Sequence, residues 1–119
     1  MTNKEPAATD YLAVHLTLHA SSVAKRGKRS GTGTYFPHFR VGDNGEYLGV
    51  AFLEGPEWIQ PGTEAEEVVA LIYADTGVDY SALQPGASFD VLEGARVIGR
   101  GRVIRRWTEP GDWKSRPSA

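Results

Sequence analysis

Four cations stand within five residues: Lys25, Arg26, Lys28 and Arg29. No other part of the chain is as densely charged. Ammonium and guanidinium groups at this spacing suit a polyanion, because each can neutralise one phosphate and the guanidinium also takes a carboxylate two-pronged. A solvated loop that keeps the protein soluble is the plainer use. A second basic row comes late in the chain, where Arg96, Arg100, Arg102 and Arg106 are separated by even numbers of residues. On a strand they share one face, with same-face neighbours about 6.6 Å apart. Ile98 and Ile104 fall between them. Val97, Gly99, Gly101 and Val103 fall on the opposite face, the valines toward a core and the glycines admitting a close neighbouring strand. The plainer use of this row is cross-strand pairing with carboxylates such as Glu64 and Glu66, and exposed pairs contribute only about 0–1 kcal/mol.

Other chemistries find little support. The chain has no cysteine, which excludes disulfides, zinc-thiolate sites and a cysteine nucleophile. His15 and His19 share a strand face but stand roughly 13 Å apart along it, too far for one metal ion. Glu66 and Glu67 straddle opposite faces and cannot act as one carboxylate dyad. No Ser-His-Asp arrangement has sequence support. Gly31-Thr32-Gly33 lacks the spacing and the lysine of a phosphate-binding loop. The expectation is a protein without cofactor, nucleotide, metal site or catalytic activity. Trp58 and Ile59, flanked by Pro56 and Pro61, make either an apolar knob, a candidate protein interface, or a plug for one end of the fold.

The elements that must position these residues follow from a period of two. Leu12, Val14, Leu16 and Leu18 alternate with Tyr11, Ala13, His15, Thr17 and His19, the signature of a half-buried strand. The stretch 25–33 has neither apolar periodicity nor helix formers and reads as a mobile loop. Tyr35 to Val41 is aromatic-rich and holds Pro37, which marks an edge, a bulge or a strand start. Gly42-Asp43-Asn44-Gly45 is a strong turn, so Glu46 to Leu53 closes a hairpin. Val68, Val69, Leu71, Ile72 and Tyr73 form a short β-branched run expected to be buried on both faces. Ser88 to Leu92 and Ala95 to Trp107 are the last strands, joined at Glu93-Gly94. Six strands, frequent Gly/Pro turns and no convincing helix predict an all-β fold, a six-stranded closed and largely antiparallel barrel, since closure removes exposed edges.

The 119 residues allow one domain. The body is expected over residues 11–107, after a flexible leader at 1–10 and before a flexible tail at 108–119. The formal net charge is −2, so a globally basic nucleic-acid binder is excluded, though local patches are not. The first residues carry no apolar signal-type stretch and no run approaches the length of a membrane span. A cytoplasmic location and a monomer are the expectation.

The order of motifs resembles the C-terminal barrel domain of translation elongation factor Tu. That family carries a Gly-Tyr-Arg-Pro-Gln-Phe signature on its second strand. Thr34-Tyr35-Phe36-Pro37-His38-Phe39 matches it, with Phe36 and His38 in place of Arg and Gln. The family's Met-Pro-Gly turn before its central strand is similar to Gln60-Pro61-Gly62. The family's ending Phe-x-Ile-Arg-Glu-Gly-Gly-Arg-Thr-Val-Gly-x-Gly-Val is matched by Phe89 to Val103, with Glu93, Gly94, Arg96, Gly99 and Gly101 in register. The resemblance spans roughly Val14 to Arg106 and covers neither the nucleotide-binding nor the second domain of the family. It implies a six-stranded barrel working alone. In the family, the loop before the Tyr-x-Pro signature approaches the T stem of aminoacylated tRNA, and Lys28 and Arg29 fall there. The turn glycine matching Gly94 also lies near tRNA.

The reading that results is a non-catalytic binding module, translation-related, for a macromolecular partner that is a protein or a tRNA-like RNA. Its candidate contact residues are Lys25, Arg26, Lys28, Arg29, Gly94, Arg96 and Arg100. The alternative is a small toxin-neutralising, immunity or decoy protein that acts by protein-protein binding.

Overall fold

The structure, a computed structural model, describes residues 8–19, 24–25 and 35–115, with 24–25 as backbone only. The strands are β1 (Ala8–Leu18), β2 (Ala24–Lys25), β3 (His38–Arg40), β4 (Leu48–Glu54), β5 (Trp58–Ile59), β6 (Glu64–Leu71), β7 (Ser88–Glu93) and β8 (Arg96–Pro110). Six of them close into a barrel in the order β1-β6-β4-β3-β7-β8. Every pairing is antiparallel. The remaining two, β2 and β5, pair with each other. The only helical pieces among the described residues are two 3₁₀ turns, Ala74–Thr76 and Trp113–Ser115. The all-β closed barrel read from the alternation is the observed architecture.

Alternation builds the core directly. Leu12, Val14, Leu16 and Leu18 of β1 point inward and meet Phe39, Val50, Phe52, Val69, Leu71, Phe89, Val91, Ile98 and Val103 from the other strands. Phe39 and Phe89 stack with centroids 4.0 Å apart. Burial of each large apolar side chain contributes about 1.5–3 kcal/mol, which makes this interior the main source of stability. The backbone extends the β3 pairing upstream: the amides of Val50 and Phe52 donate to the carbonyls of Pro37 and Tyr35. Pro37 lacks only a donor, so its place before β3 costs no ladder bond.

A second apolar cluster lies on the outside of the barrel. Tyr11, Ala51, Leu53, Ala70 and Trp113 are buried there, with Ile72 and Trp107 packed against them. This explains the β6 run. Val69 and Leu71 face the interior while Ala70 lies under the outer cluster, so the end of β6 is buried on both sides, as its composition predicts.

Two boundaries differ from the expectation. Strand β1 starts at Ala8, inside the stretch expected as a leader, and Thr9 is buried with its hydroxyl donating to the Gly111 carbonyl. Strand β8 continues to Pro110, and Trp113 beyond it is buried. The stretch 108–115 is therefore not a frayed tail. It doubles back because the outward small residues Ala51 and Ala70 leave an apolar surface that an indole can cover. Lys25, expected in a loop, has its backbone paired with Trp58.

Candidate basic face and barrel end

The topology gathers one set of termini at one end of the barrel. The end of β1, the starts of β3, β6 and β8, and the ends of β4 and β7 meet there. The Gly62 amide bonds the Leu18 carbonyl and the His19 amide bonds the Ile98 carbonyl, which fixes the connecting segment against β1 and β8. Ile59 is buried in the core and closes this end, whereas Trp58 next to it is 44% exposed. The apolar pair thus divides: Ile59 is the plug and Trp58 the surface residue.

Two stretches that looked unrelated along the chain touch at this end. The Tyr35 hydroxyl donates a hydrogen bond to the Glu93 carboxylate. Burial first, then the hydrogen bond to Glu93 and its charge, push the Tyr35 phenol far above its ordinary value, so it stays a donor. This bond ties the segment entering β3 to the turn between β7 and β8. Gly94 occupies that turn with φ +57, a conformation natural to glycine. Arg96, two residues on, is exposed. Gly94, Arg96, Trp58 and the backbone of Lys25 therefore share one barrel end. Arg26, Lys28 and Arg29 lie outside the described residues.

The arginine row is broken by two β-bulges. The first falls where β7 passes from Val91 to Leu92, and Ile98 is the extra residue of β8. One extra residue inverts side-chain parity, so Ile98 turns inward and is buried, not set among the arginines. The second falls opposite Ala13 and Val14, with Ile104 as the extra residue, which leaves it exposed. Beyond it Arg106 no longer belongs to the row. Its guanidinium caps the opposite barrel end, donating to the Tyr80 carbonyl at 2.9 Å and to the Asp10 carboxylate at 2.7 Å. Burial alone would raise the Asp10 carboxyl, but the Thr108 hydrogen bond and the Arg106 charge outweigh it and hold it below the ordinary value. Arg105 takes the outer position and stacks 4.0 Å over the Trp107 ring.

What remains as an outward row on β8 is Arg100 and Arg102, while Arg96, on the far side of the first bulge, opposes Glu93 and lies exposed at the barrel end. The side chain of Arg100 is 82% exposed, with the Asp90 carboxylate 3.9 Å away. Asp90 is shared with Arg40 of β3 at 3.2 Å. The expected pairing with Glu64 and Glu66 does not occur, because β1 lies between β6 and β8. Those carboxylates flank His15 instead, at 3.9 and 3.7 Å. Among the described residues no ion pair engages Arg96 or Arg102. Open grooves of about 320 and 280 Å³ run on either side of Arg100, the second also lined by Arg102 and His15.

Glu67 shares the inward parity of Val69 and is buried, its carboxylate against Gly55 beside the β4 bulge. Glu66 is exposed on the other face, as the alternation requires. No group of three His, Asp or Glu able to hold a metal ion occurs among the described residues. No helix among them is long and apolar enough to cross a membrane.

Sequence reading did not single out the aromatics beside this basic face. Phe36, Tyr47 and Tyr73 are exposed large rings on the β3–β4 side. The available signal was the small outward residues of β4, Gly49 and Ala51, which leave room for rings from neighbouring segments. The class that fold and site define is a closed antiparallel six-stranded barrel with an exposed arginine row on its last strand. No protein-family model matches the chain, and no curated protein matches it either.

Proposed function

We propose that the chain is a non-catalytic binding module whose partner is a tRNA-like RNA, held through its phosphate backbone. The observation that carries this reading is the exposed arginines of β8, Arg100 and Arg102 on one outer face and Arg96 at the barrel end, where one shared carboxylate, Asp90, approaches only Arg100, at 3.9 Å. Guanidinium groups left open to solvent along a rigid strand suit phosphate contact, which supplies affinity and orientation but no sequence information. The resemblance to the elongation factor Tu barrel supports it, since Gly94 matches the turn glycine that the family brings near tRNA and Arg96 opens the strand after that turn. On this reading the protein acts in the cytoplasm, as a monomer, alongside the translation machinery. It needs no cofactor and binds no nucleotide. The test is titration of fluorescently labelled tRNA at low salt, repeated as salt is raised. Binding that weakens steeply with salt supports the reading. No binding at low salt removes it.

Trp58 favours a second reading. A tryptophan 44% exposed at the same barrel end is the residue type that anchors protein interfaces. A neutralising or decoy protein would use it against a protein partner. That complex should survive nuclease and salt and be lost in Trp58→Ala.

A further inference from the structure

The outer side of β3 and β4 carries rings where a solvated barrel face would carry polar side chains. Phe36 is 50%, Tyr47 44% and Tyr73 46% exposed. A ring laid against a protein surface covers one face and offers the other, and exposures near one half fit that posture. Tyr73 is held in it. Its ring lies on Gly49 so closely that a β-carbon there would come within 2.5 Å of the ring. The Tyr73 amide is fixed by the Tyr80 hydroxyl at 3.2 Å, and that hydroxyl donates to the Gly49 carbonyl. Phe36 stands edge-on to Trp113 at 6.1 Å, and His38 neighbours Tyr47 at 5.9 Å. Phe36, Tyr73 and Trp113 line one open groove of about 350 Å³.

Cations accompany these rings. Lys114 Nζ lies 5.8 Å from the Trp113 ring and the Arg40 guanidinium 5.9 Å from the Tyr47 ring. From Arg40, whose side chain is largely buried, the path continues through Asp90 to the exposed Arg100, across β3, β7 and β8. Two guanidinium groups share one carboxylate on that path, so it keeps a positive balance. Protein hot spots sit in closed, desolvated pockets with a sealing rim. These rings are open and flanked by cations, the pairing of stacking faces with a cationic track that single-stranded nucleic acids require.

We infer that the Phe36–Tyr47–Tyr73 face is a stacking platform for unpaired bases, with the strand's phosphates carried toward Arg100 and Arg102. The inference rests on the RNA reading above and specifies it: the ligand presents a single-stranded segment, and its bases contribute as well as its backbone. A duplex, whose bases are stacked on each other, would meet the arginines alone.

The probe is a labelled, unstructured mixed-sequence RNA strand of about 12 nucleotides, compared by anisotropy with its own duplex at low salt. The single strand should bind more tightly than the duplex. Phe36→Ala and Tyr73→Ala should each weaken single-strand binding by roughly five- to a hundredfold, leaving the salt slope and duplex binding unchanged. Phe36→Leu keeps apolar surface but has no π-face, so it should weaken binding too, whereas Tyr73→Phe should not. Melting curves matching the unsubstituted protein confirm that each variant is folded. Single-strand binding unaffected by loss of both rings overturns the platform, and salt-dependent duplex binding in the same experiment would leave the RNA reading standing. Failure of strand and duplex alike at low salt overturns both.

Discussion

Asp10 and Arg106 illustrate how much one pair can hold. Asp10 accepts from Arg106 at 2.7 Å and from the Thr108 hydroxyl at 2.6 Å, and Arg106 also reaches the Tyr80 and Leu83 carbonyls. The bond thus joins β1, β8 and the segment leading into β7 at one barrel end. Removing the charge in Asp10→Asn should cost about 1.5–3 kcal/mol, the range for a hydrogen bond to a charged group. The pH dependence has a definite sign. The folded Asp10 carboxyl is held below its ordinary value of 3.8, so the unfolded chain binds the proton more readily. The stabilisation is complete above that ordinary value and is lost as pH falls through the lower folded value. Melting temperatures of the two proteins should differ near neutrality and converge as pH drops below about 4. A constant difference across that range would show that Asp10 acts through shape and not charge. Sequence spacing placed Arg106 in an outward row, and nothing in spacing alone marks the residue that leaves a row.

Strand β8 shows what alternation reveals and where it stops. The inward positions of β1 and the turn at Glu93-Gly94 were legible because period two and turn chemistry are local properties. The parity of β8 was not, since a bulge depends on how many residues the partner strands offer, and that is a non-local count. Ile98 inside and Arg106 turned onto the opposite barrel end are the two results. Gly101, by contrast, was correctly read as a close-approach glycine. A β-carbon there would lie 2.6 Å from the His15 carbonyl and 2.6 Å from the Phe89 ring. Neither neighbour yields easily, because one is β1 backbone and the other is stacked on Phe39. Gly101→Ala should therefore destabilise by about 1–3 kcal/mol, the ordinary range for overpacking, and lower the denaturant midpoint. An unchanged midpoint would mean that β1 and β8 can separate locally without loss. The C-terminal stretch carried no such signal. A lone Trp113 among proline, glycine and charges has no period, yet it is buried over Ala51 and Ala70. Trp113→Ala should destabilise by roughly 3–5 kcal/mol, the range for truncating a large buried ring, and lower the melting temperature by about 10–20 °C. A frayed tail would leave it unchanged.

For the molecule as a whole, net charge is −2, and association with RNA has to come from local patches working against that balance. Two such patches are the exposed β8 arginines Arg96, Arg100 and Arg102 and the cluster Lys25, Arg26, Lys28 and Arg29. Of the first, which spacing makes one row of four with Arg106, the bulges leave only Arg100 and Arg102 on one face. The second falls outside the described residues except for the Lys25 backbone, which β2 places at the same barrel end as Gly94 and Arg96. Their shares separate through salt dependence, because each phosphate neutralised adds about 0.7–0.9 to the magnitude of the log–log slope. Replacing the three arginines with alanine should flatten the slope by roughly two to three units, and replacing the four loop cations by roughly three, if every one engages a phosphate. The barrel should melt as before in the arginine variant, since none of the three side chains enters the core. When both sets meet one RNA their effects on the slope add, and the combined variant should bind with almost no salt dependence. A slope that only the loop variant changes would place the RNA at the barrel end and away from β8. A slope that neither variant changes would assign the salt dependence to other cations and leave both patches as solvated surface.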